Sequence, residues 1–407
     1  MREYDVIVVG AGTAGIPAAV AAAREGCQTL LLESQACLGG MLTNGCLAYV
    51  MDTVGKGGLV QEIRQTLLST GDARMETPTM GHYLYDVHAM ETLLRTLCKD
   101  AQVEAWTCVR ILRACSNQGQ IIGLELEKNG CIQRVNAQLW IDASGAGCLA
   151  HLVQCHYESG REKDGVHQPC SVFAIVSGVP EESGFGFDWE QKMRLKDTLA
   201  HLGCMPSYRA PFLVKLPRND LWSLCVNHEY DVDIENPAAL HLHYQHALAE
   251  TNAALTALRS LPGWENLCLH RISTQLGVRD GRRIAGMYQL TVQDVQAGRQ
   301  FADGICTVHM PVDVHSIAGY DSANIRSMPY QIPYRSLVAR DQSNLLLAGR
   351  LISGEFLAQA SYRVAGNCMA MGEGAGVAAA LRIKMPYARL DAIGATLHQA
   401  APRRAMQ

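Results

Sequence analysis

The hydrophobic pattern starts at once: Asp5-Val-Ile-Val-Val9 is an unbroken β-branched run with no polar alternation. Such a run predicts a strand buried on both faces of a parallel sheet. It leads into Gly10-Ala-Gly12-Thr-Ala-Gly15 and then an alanine-rich helix through about Arg24, with Gly26 placed to stop it. Gln28-Thr-Leu-Leu-Leu32 predicts a second strand, ending on Glu33. A helix is expected after Gly57-Gly58, and another opening at Tyr85-Asp86 with Leu93, Leu94 and Leu97 on one face. Val103 to Val109 predicts a strand, and the runs 121–126 and 132–135 flank Asn129-Gly130, a strong hairpin signal. From about residue 151 short strand-like runs (171–176, 212–216, 222–226) alternate with proline-containing turns, and 238–258 predicts one helix. The pattern is that of an α/β chain. A domain with a central parallel sheet is expected over 1–150, completed by 336–390. A mixed α+β substrate domain is expected over 151–335.

The glycine turn carries the first chemistry. Gly10 permits a tight turn off the strand, Gly12 lets the backbone approach a pyrophosphate, and Gly15 lets helix and sheet pack closely. The helix N-terminus then offers unpaired N–H groups and a positive dipole end to phosphates. Glu33 at the end of the second strand can accept hydrogen bonds from ribose hydroxyls and disfavours a 2′-phosphate, so NADP is not expected there. The motif follows a strand, opens a helix and has its acid in place, which is the context that gives it weight.

Further blocks narrow the dinucleotide. Cys37-Leu-Gly39-Gly40-Met41-Leu-Thr43-Asn44 places a glycine pair just past the acid. Leu139-Trp-Ile-Asp-Ala-Ser-Gly145-Ala-Gly147 reads as a short strand ending in a small-residue turn. Asn344-Leu-Leu-Leu-Ala-Gly-Arg350 reads as a late strand, followed by a helix with Ser361-Tyr-Arg363, Gly366-Asn367, Gly372, Gly374 and Gly376. With Gly277-Val-Arg279-Asp-Gly-Arg282-Arg283 and Gln331-Ile-Pro-Tyr334-Arg335, these blocks resemble the FAD-dependent oxidoreductases. These belong to the wider group of glutathione reductase- and fumarate reductase-like flavoproteins, near the flavin subunits of heterodisulfide reductases. The resemblance spans residue 2 to about 382 and implies FAD as cofactor, in a Rossmann-like domain whose parallel sheet carries the Asn129-Gly130 hairpin as part of a β-meander. It assigns FAD contacts to Gly10, Gly12, Thr13, Ala14 and Gly15, to Glu33 and Ser34, and to Gly39, Gly40 and Met41. Val109 and the turn Ala143, Ser144 and Gly145 follow, then Gly349, Arg350, Val364 and Asn367. In such proteins the late helix points its N-terminus at the pyrimidine end of the flavin, where its dipole favours negative charge on the reduced ring.

Composition removes other function classes. The 407 residues are 48% hydrophobic and 18% charged, with a formal net charge of -4, and show no block of like charges. Neither nucleic acid nor an anionic membrane surface is expected as a partner. The 15 cysteines are scattered, with no Cys-x-x-Cys pair, which argues against a zinc site, a disulfide scaffold or an iron–sulfur cluster. His243 and His246 share a helical face, but the sequence sets no carboxylate or cysteine cluster beside them, so no metal is expected. A second G-x-G-x-x-G is absent, and no run has the length of a signal core or a membrane span. A cytoplasmic protein acting on a small-molecule substrate is expected, with homo-oligomerisation and the electron acceptor left open.

For chemistry beyond the cofactor, the densest polar stretch is His309-Met-Pro-Val-Asp313-Val-His315, followed by Tyr320, Arg326, Tyr330, Tyr334 and Arg335. His315 is the first choice for a general base because imidazole titrates near working pH. On a strand, Asp313 and His315 would share a face. Tyr334 and Arg335 are candidates for holding an anionic or hydroxylated substrate, and Arg363 for holding flavin or substrate. The expected reaction is hydride transfer from an alcohol or amine to the flavin. The alternatives are reduction of an activated double bond, an NAD(P)H-dependent monooxygenase, or an electron-transfer subunit of a larger complex.

Overall fold

The computed structural model describes residues 2–218, 220–315 and 325–406. Its largest sheet has seven strands. The strand Arg2–Val9 lies parallel to Thr29–Leu32 on one side and to Cys131–Asp142 on the other. Both edges are paired and both faces covered, so Val6, Ile7 and Val8 are completely buried. That double burial is why the run shows no alternation. Glu104–Trp106 extends the sheet beyond Thr29–Leu32, and Leu345–Leu347 returns from far downstream to pair with the end of Cys131–Asp142, both in parallel.

Val109–Asn117, Gln120–Lys128 and Cys131–Asp142 form the antiparallel meander. Asn129 and Gly130 turn at φ 52° and 74°, as a two-residue hairpin loop requires. The strand expected near residue 139 is not a separate element. The hairpin's return strand runs on as one 12-residue strand to Asp142. Its first part pairs with the meander and its last part with Leu345–Leu347, so it joins the two halves of the sheet.

The helix Gly15–Arg24 leaves the first strand, and Gly26, at φ 92°, ends it. The late helix Ala365–Lys384 lies along it in the same direction, because Gly372 meets Ala14 and Gly376 meets Ala18. A Cβ at Gly372 or Gly376 would fall 2.0 or 2.2 Å from those carbonyl oxygens, so only glycine allows this approach. Both helix N-termini therefore open on the same side of the molecule.

A second, four-stranded antiparallel sheet has the order Phe212–Lys215, Trp222–Cys225, Ala174–Ser177, Cys268–Ile272. The helices Trp189–His201 and Pro237–Arg259 close its own core around Val176, Leu195, Leu199, Leu255 and Leu258. A three-stranded sheet from Tyr49–Val50, Ala73–Thr77 and His82–Tyr85 was not foreseen, and it buries Tyr83 completely. The hairpin Gly304–Val308/Tyr330–Pro333 packs on the late helix, so it sits with the parallel-sheet unit, ahead of the change expected at 335. No helix among the described residues is long and apolar enough to cross a membrane.

Candidate functional site

The glycine turn is built as its three positions require. A Cβ on Gly10 would lie 2.6 Å from the Cα of Ser144, and one on Gly15 would lie 1.7 Å from the carbonyl oxygen of Gly10. At Gly12 nothing stands within 4 Å of the same position. Two glycines are thus forced by packing, while the third faces open space. Ala14 caps the helix without any side-chain hydrogen bond, which leaves its first N–H groups unclaimed by a side chain; Thr13 precedes it, half-buried.

Glu33 accepts hydrogen bonds from the backbone N–H of Ala11 and of Gln35, both at 2.8 Å, and from the hydroxyl of the exposed Ser34 at 3.2 Å. The Ala11 bond ties the acid to the glycine turn. Val109, buried, donates its N–H to the Glu33 carbonyl at 2.9 Å. The second glycine loop closes against the first: a Cβ on Gly40 would stand 3.0 Å from the Cα of Gly12, and the Gly39 N–H donates to the Ala11 carbonyl at 2.7 Å. Met41 packs between Gly45 and Gly277. In the third turn, Ser144 is held by the buried Asp142, through its N–H at 3.0 Å and its hydroxyl at 2.7 Å, beside Ala143.

The late segment adds charge. Gly349, at φ 86°, packs on Ala14, and the guanidinium of Arg350 lies over Gly145, within 2.7 Å of where a Cβ would be. Val364 caps the late helix with no side-chain bond, and Asn367 in its first turn is completely buried with neither amide atom hydrogen-bonded. Nε of Arg350, Nε of Arg363, Nε2 of Gln168 and Oε1 of Gln359 are likewise buried without a partner. Each unpaired buried group costs about 1–3 kcal/mol, so the cluster calls for a polar ligand.

Beside that helix end sits a polar cluster. Arg363 reaches the Asp313 carbonyl at 3.0 Å, and its carboxylate and Gln168 at 3.3 Å. His315 contacts the same carboxylate through Nε2 at 3.1 Å. The stretch 309–315 is irregular rather than a strand, so the pair does not meet through strand alternation. Arg279 donates to the Ser171 hydroxyl at 2.9 Å and contacts Nε2 of His228 at 3.2 Å. The His228 ring stacks on Tyr208 with centroids 3.9 Å apart and stands edge-on to His315 at 5.2 Å. Burial, then the Arg279 charge, holds the pKa of His315 below its ordinary 6.5, and the same two causes push His228 far lower. Burial works to raise Asp313, but the His315 bond and the charges of Arg363 and Arg279 outweigh it and keep it ionised. His315 is 22% exposed and Asp313 36%, so the pair keeps partial access to solvent.

The profile of the family described as "FAD dependent oxidoreductase" matches residues 5–394. The chain belongs to the FAD-dependent oxidoreductase family. Digeranylgeranylglycerophospholipid reductases 1 and 2 of Methanopyrus kandleri are 32% and 31% identical to this oxidoreductase over 150 residues. Those matches cover 35% of the chain and 40% and 38% of the relatives, so the chain spans well under half of the curated relatives it matches. Among solved structures, the flavin-dependent brominase Bmp2 superposes with a TM-score of 0.51 at 13% identity, covering 98% of this chain and 84% of that one. The Diels-Alderase PyrE3 gives 0.52 at 12% identity, covering 100% and 72%. At such identities the likeness is one of fold.

FAD is therefore the cofactor of this oxidoreductase, and the orphaned amide of Asn367, the partnerless Nε of Arg350 and the open face of Gly12 suit such a group. The structure does not bring every sequence candidate to the cluster. Arg335 pairs with Asp303 at 2.9 Å and lies over the Tyr288 ring, and Tyr334 is buried against Asp303 and Gly394. Neither contact set is shared with His315. Tyr330 is buried on Ser361, Arg326 is exposed, and Tyr320 lies outside the described residues. His309 packs at Asp52, whose carboxylate takes its N–H at 2.9 Å. Sequence reasoning missed His228, Tyr208 and Gln168 and saw Arg279 only inside a family block. A buried imidazole beside a strand end was the one available signal. The reason given against a metal at His243 and His246 is also overturned: Glu229 lies 3.0 and 2.8 Å from their Nδ1 atoms.

Proposed function

We propose that this oxidoreductase oxidises a small alcohol or amine, with His315 as the general base. The observation that carries the reading is the His315–Asp313–Arg363 chain at the N-terminus of the late helix. With Nε2–H donated to Asp313, the lone pair of neutral His315 is on Nδ1, where it accepts the substrate's O–H or N–H proton. Asp313 stabilises the imidazolium so formed, and Arg363 holds Asp313 ionised and in place. FAD, when bound, takes up the hydride equivalent released from the substrate carbon. Arg279 and Arg363 put two guanidiniums beside one carboxylate, which favours a substrate carrying its own negative charge.

That same arginine pair, together with the relatives named as reductases, supports a second reading: reduction of a double bond conjugated to a carboxylate. It would need His315 as proton donor. Its lowered pKa leaves the ring neutral at pH 7, so oxidation is the better match. The test is anaerobic mixing of the holoprotein with hydroxy acids, amino acids and neutral alcohols while the flavin absorbance is followed. Bleaching by an acid-bearing alcohol or amine, slowed about 100-fold or more in His315→Gln with its flavin spectrum intact, is the expected result. No bleaching by any of them, with photoreduced enzyme reoxidised by an α,β-unsaturated acid, would replace this reading with the second.

A further inference from the structure

We propose that Glu229, His246 and Glu250 form a site for a first-row divalent cation such as Zn2+, with His243 holding the Glu229 carboxylate. It stands apart from the redox reading and uses none of its residues. His243, His246 and Glu250 follow one another at spacings of three and four on the helix Pro237–Arg259, which puts them on one face. Glu229 arrives from the loop after Trp222–Cys225, pinned by two backbone hydrogen bonds to Cys170 at 2.8 and 2.9 Å. Its carboxylate is 3% exposed, with Nδ1 of His246 at 2.8 Å and Nδ1 of His243 at 3.0 Å.

Among the described residues no lysine or arginine pairs with Glu229 or with Glu250. A buried carboxylate faced by imidazoles, with no lysine or arginine, is an anionic oxygen set suited to a cation. A divalent ion supplies the missing positive charge and takes the lone pairs directly. One ligand atom each from Glu229, His246 and Glu250 lie within 4.8 Å of one another. Bonds to a common Zn2+ of about 2.0–2.2 Å need only a small further closure. His246, with 67% of its side chain exposed, can swing that distance. Mixed imidazole and carboxylate donors suit Zn2+ and its neighbours, whereas Mg2+ and Ca2+ favour oxygen alone.

The outer contacts give the site a consequence. Glu250 accepts hydrogen bonds from the N–H of Ser207 at 2.6 Å and from its hydroxyl at 2.7 Å. The Ser207 hydroxyl in turn accepts the N–H of His228 at 2.9 Å. The ion would thus clamp, from behind, the two loops that carry the stacked Tyr208 and His228 rings toward His315.

The experiment uses tag-free holoprotein, stripped with EDTA and desalted, titrated with Zn2+ by calorimetry and with Co2+ by visible absorption. The expected result is about one ion per chain, bands of Co2+ in a low-symmetry site, and a raised melting temperature. His246→Ala should weaken binding about 100-fold while keeping the flavin spectrum. His241→Ala, exposed on the same helix, should bind as the parent does. A parent protein that takes up no Zn2+ or Co2+, or a His246→Ala variant that binds as tightly as the parent, overturns the proposal. Preference for Mg2+ or Ca2+ over Zn2+ overturns it as well.

Discussion

Between Val9 and Gly15 the molecule makes a binding surface out of backbone, while around Arg363 it makes one out of side chains drawn from widely separated stretches. In the first region the constraint at each residue is steric and local. Gly10 and Gly15 are fixed by oxygen and Cα atoms that a methyl group would strike, and Gly12 by the space a ligand needs. In the second, Gln168, His228, Arg279, Asp313 and Arg363 are adjacent only because two sheets and a long helix converge. A surface of the first kind can be written in six consecutive residues. One of the second kind can be varied residue by residue without disturbing the fold, which is how one cofactor cradle can serve many substrates.

The sharpest way to break this contrast is a pair of alanines. Gly15→Ala places a methyl 1.7 Å from the Gly10 carbonyl oxygen, and neither backbone can retreat. We expect a loss of about 3 kcal/mol or more, with little soluble yellow protein. Gly12→Ala enters open space, so the melting temperature of the apoprotein should hardly move while the FAD dissociation constant rises about tenfold or more. Flavin fluorescence titration and thermal melts read both. A stable, fully loaded Gly15→Ala would show that the turn is less constrained than its geometry states.

Next in size, Arg363→Met should lower kcat/KM by about 100- to 1000-fold, because it leaves Asp313, the partner of His315, without its buried counter-charge. The visible spectrum should persist if Arg363 serves the substrate side. Loss of bound flavin in that variant would move it into the cradle and blur the line between the regions. Arg350→Met should separate stability from binding. Its Nε is buried and, among the described residues, the half-buried side chain has no hydrogen bond or ion pair. Removing it should stabilise the apoprotein by about 1–3 kcal/mol and weaken FAD binding by a similar amount. A destabilised apoprotein would mean that Arg350 holds the fold rather than awaiting the cofactor.

The same division decides what could be seen in advance. The strand at 6–9, the glycine turn, Glu33, the Asn129-Gly130 hairpin and the long helix over 237–259 all carry signals within a few residues of themselves. The helix Trp189–His201 and the sheet joining 49–50 to 73–77 and 82–85 do not: their apolar faces become meaningful only against partners far along the chain. Arg335 and Arg363 look alike in sequence, yet Arg335 is drawn to Asp303 and Arg363 to Asp313, and no local pattern distinguishes the two. Glu229 is the same case, reaching two histidines whose helix gives no hint of it.

The smallest expected effect tests whether the side-chain region works as one electrostatic unit. His228 and His315 both have folded-state pKa values below the ordinary 6.5, so the folded chain binds fewer protons than the unfolded one as pH falls through that value. Stability is therefore full above about 6.5 and declines below it. Oxidation, which needs neutral His315, should be flat near pH 7 and fall on an acid limb lying below 6.5. Burial is the main cause of that displacement, and Arg279 adds to it by repelling the incoming proton. Arg279→Met should then move the acid limb of kcat/KM upward, at a cost in KM if Arg279 also holds the substrate. An acid limb that stays put while KM rises would confine Arg279 to binding and leave burial alone to keep His315 neutral.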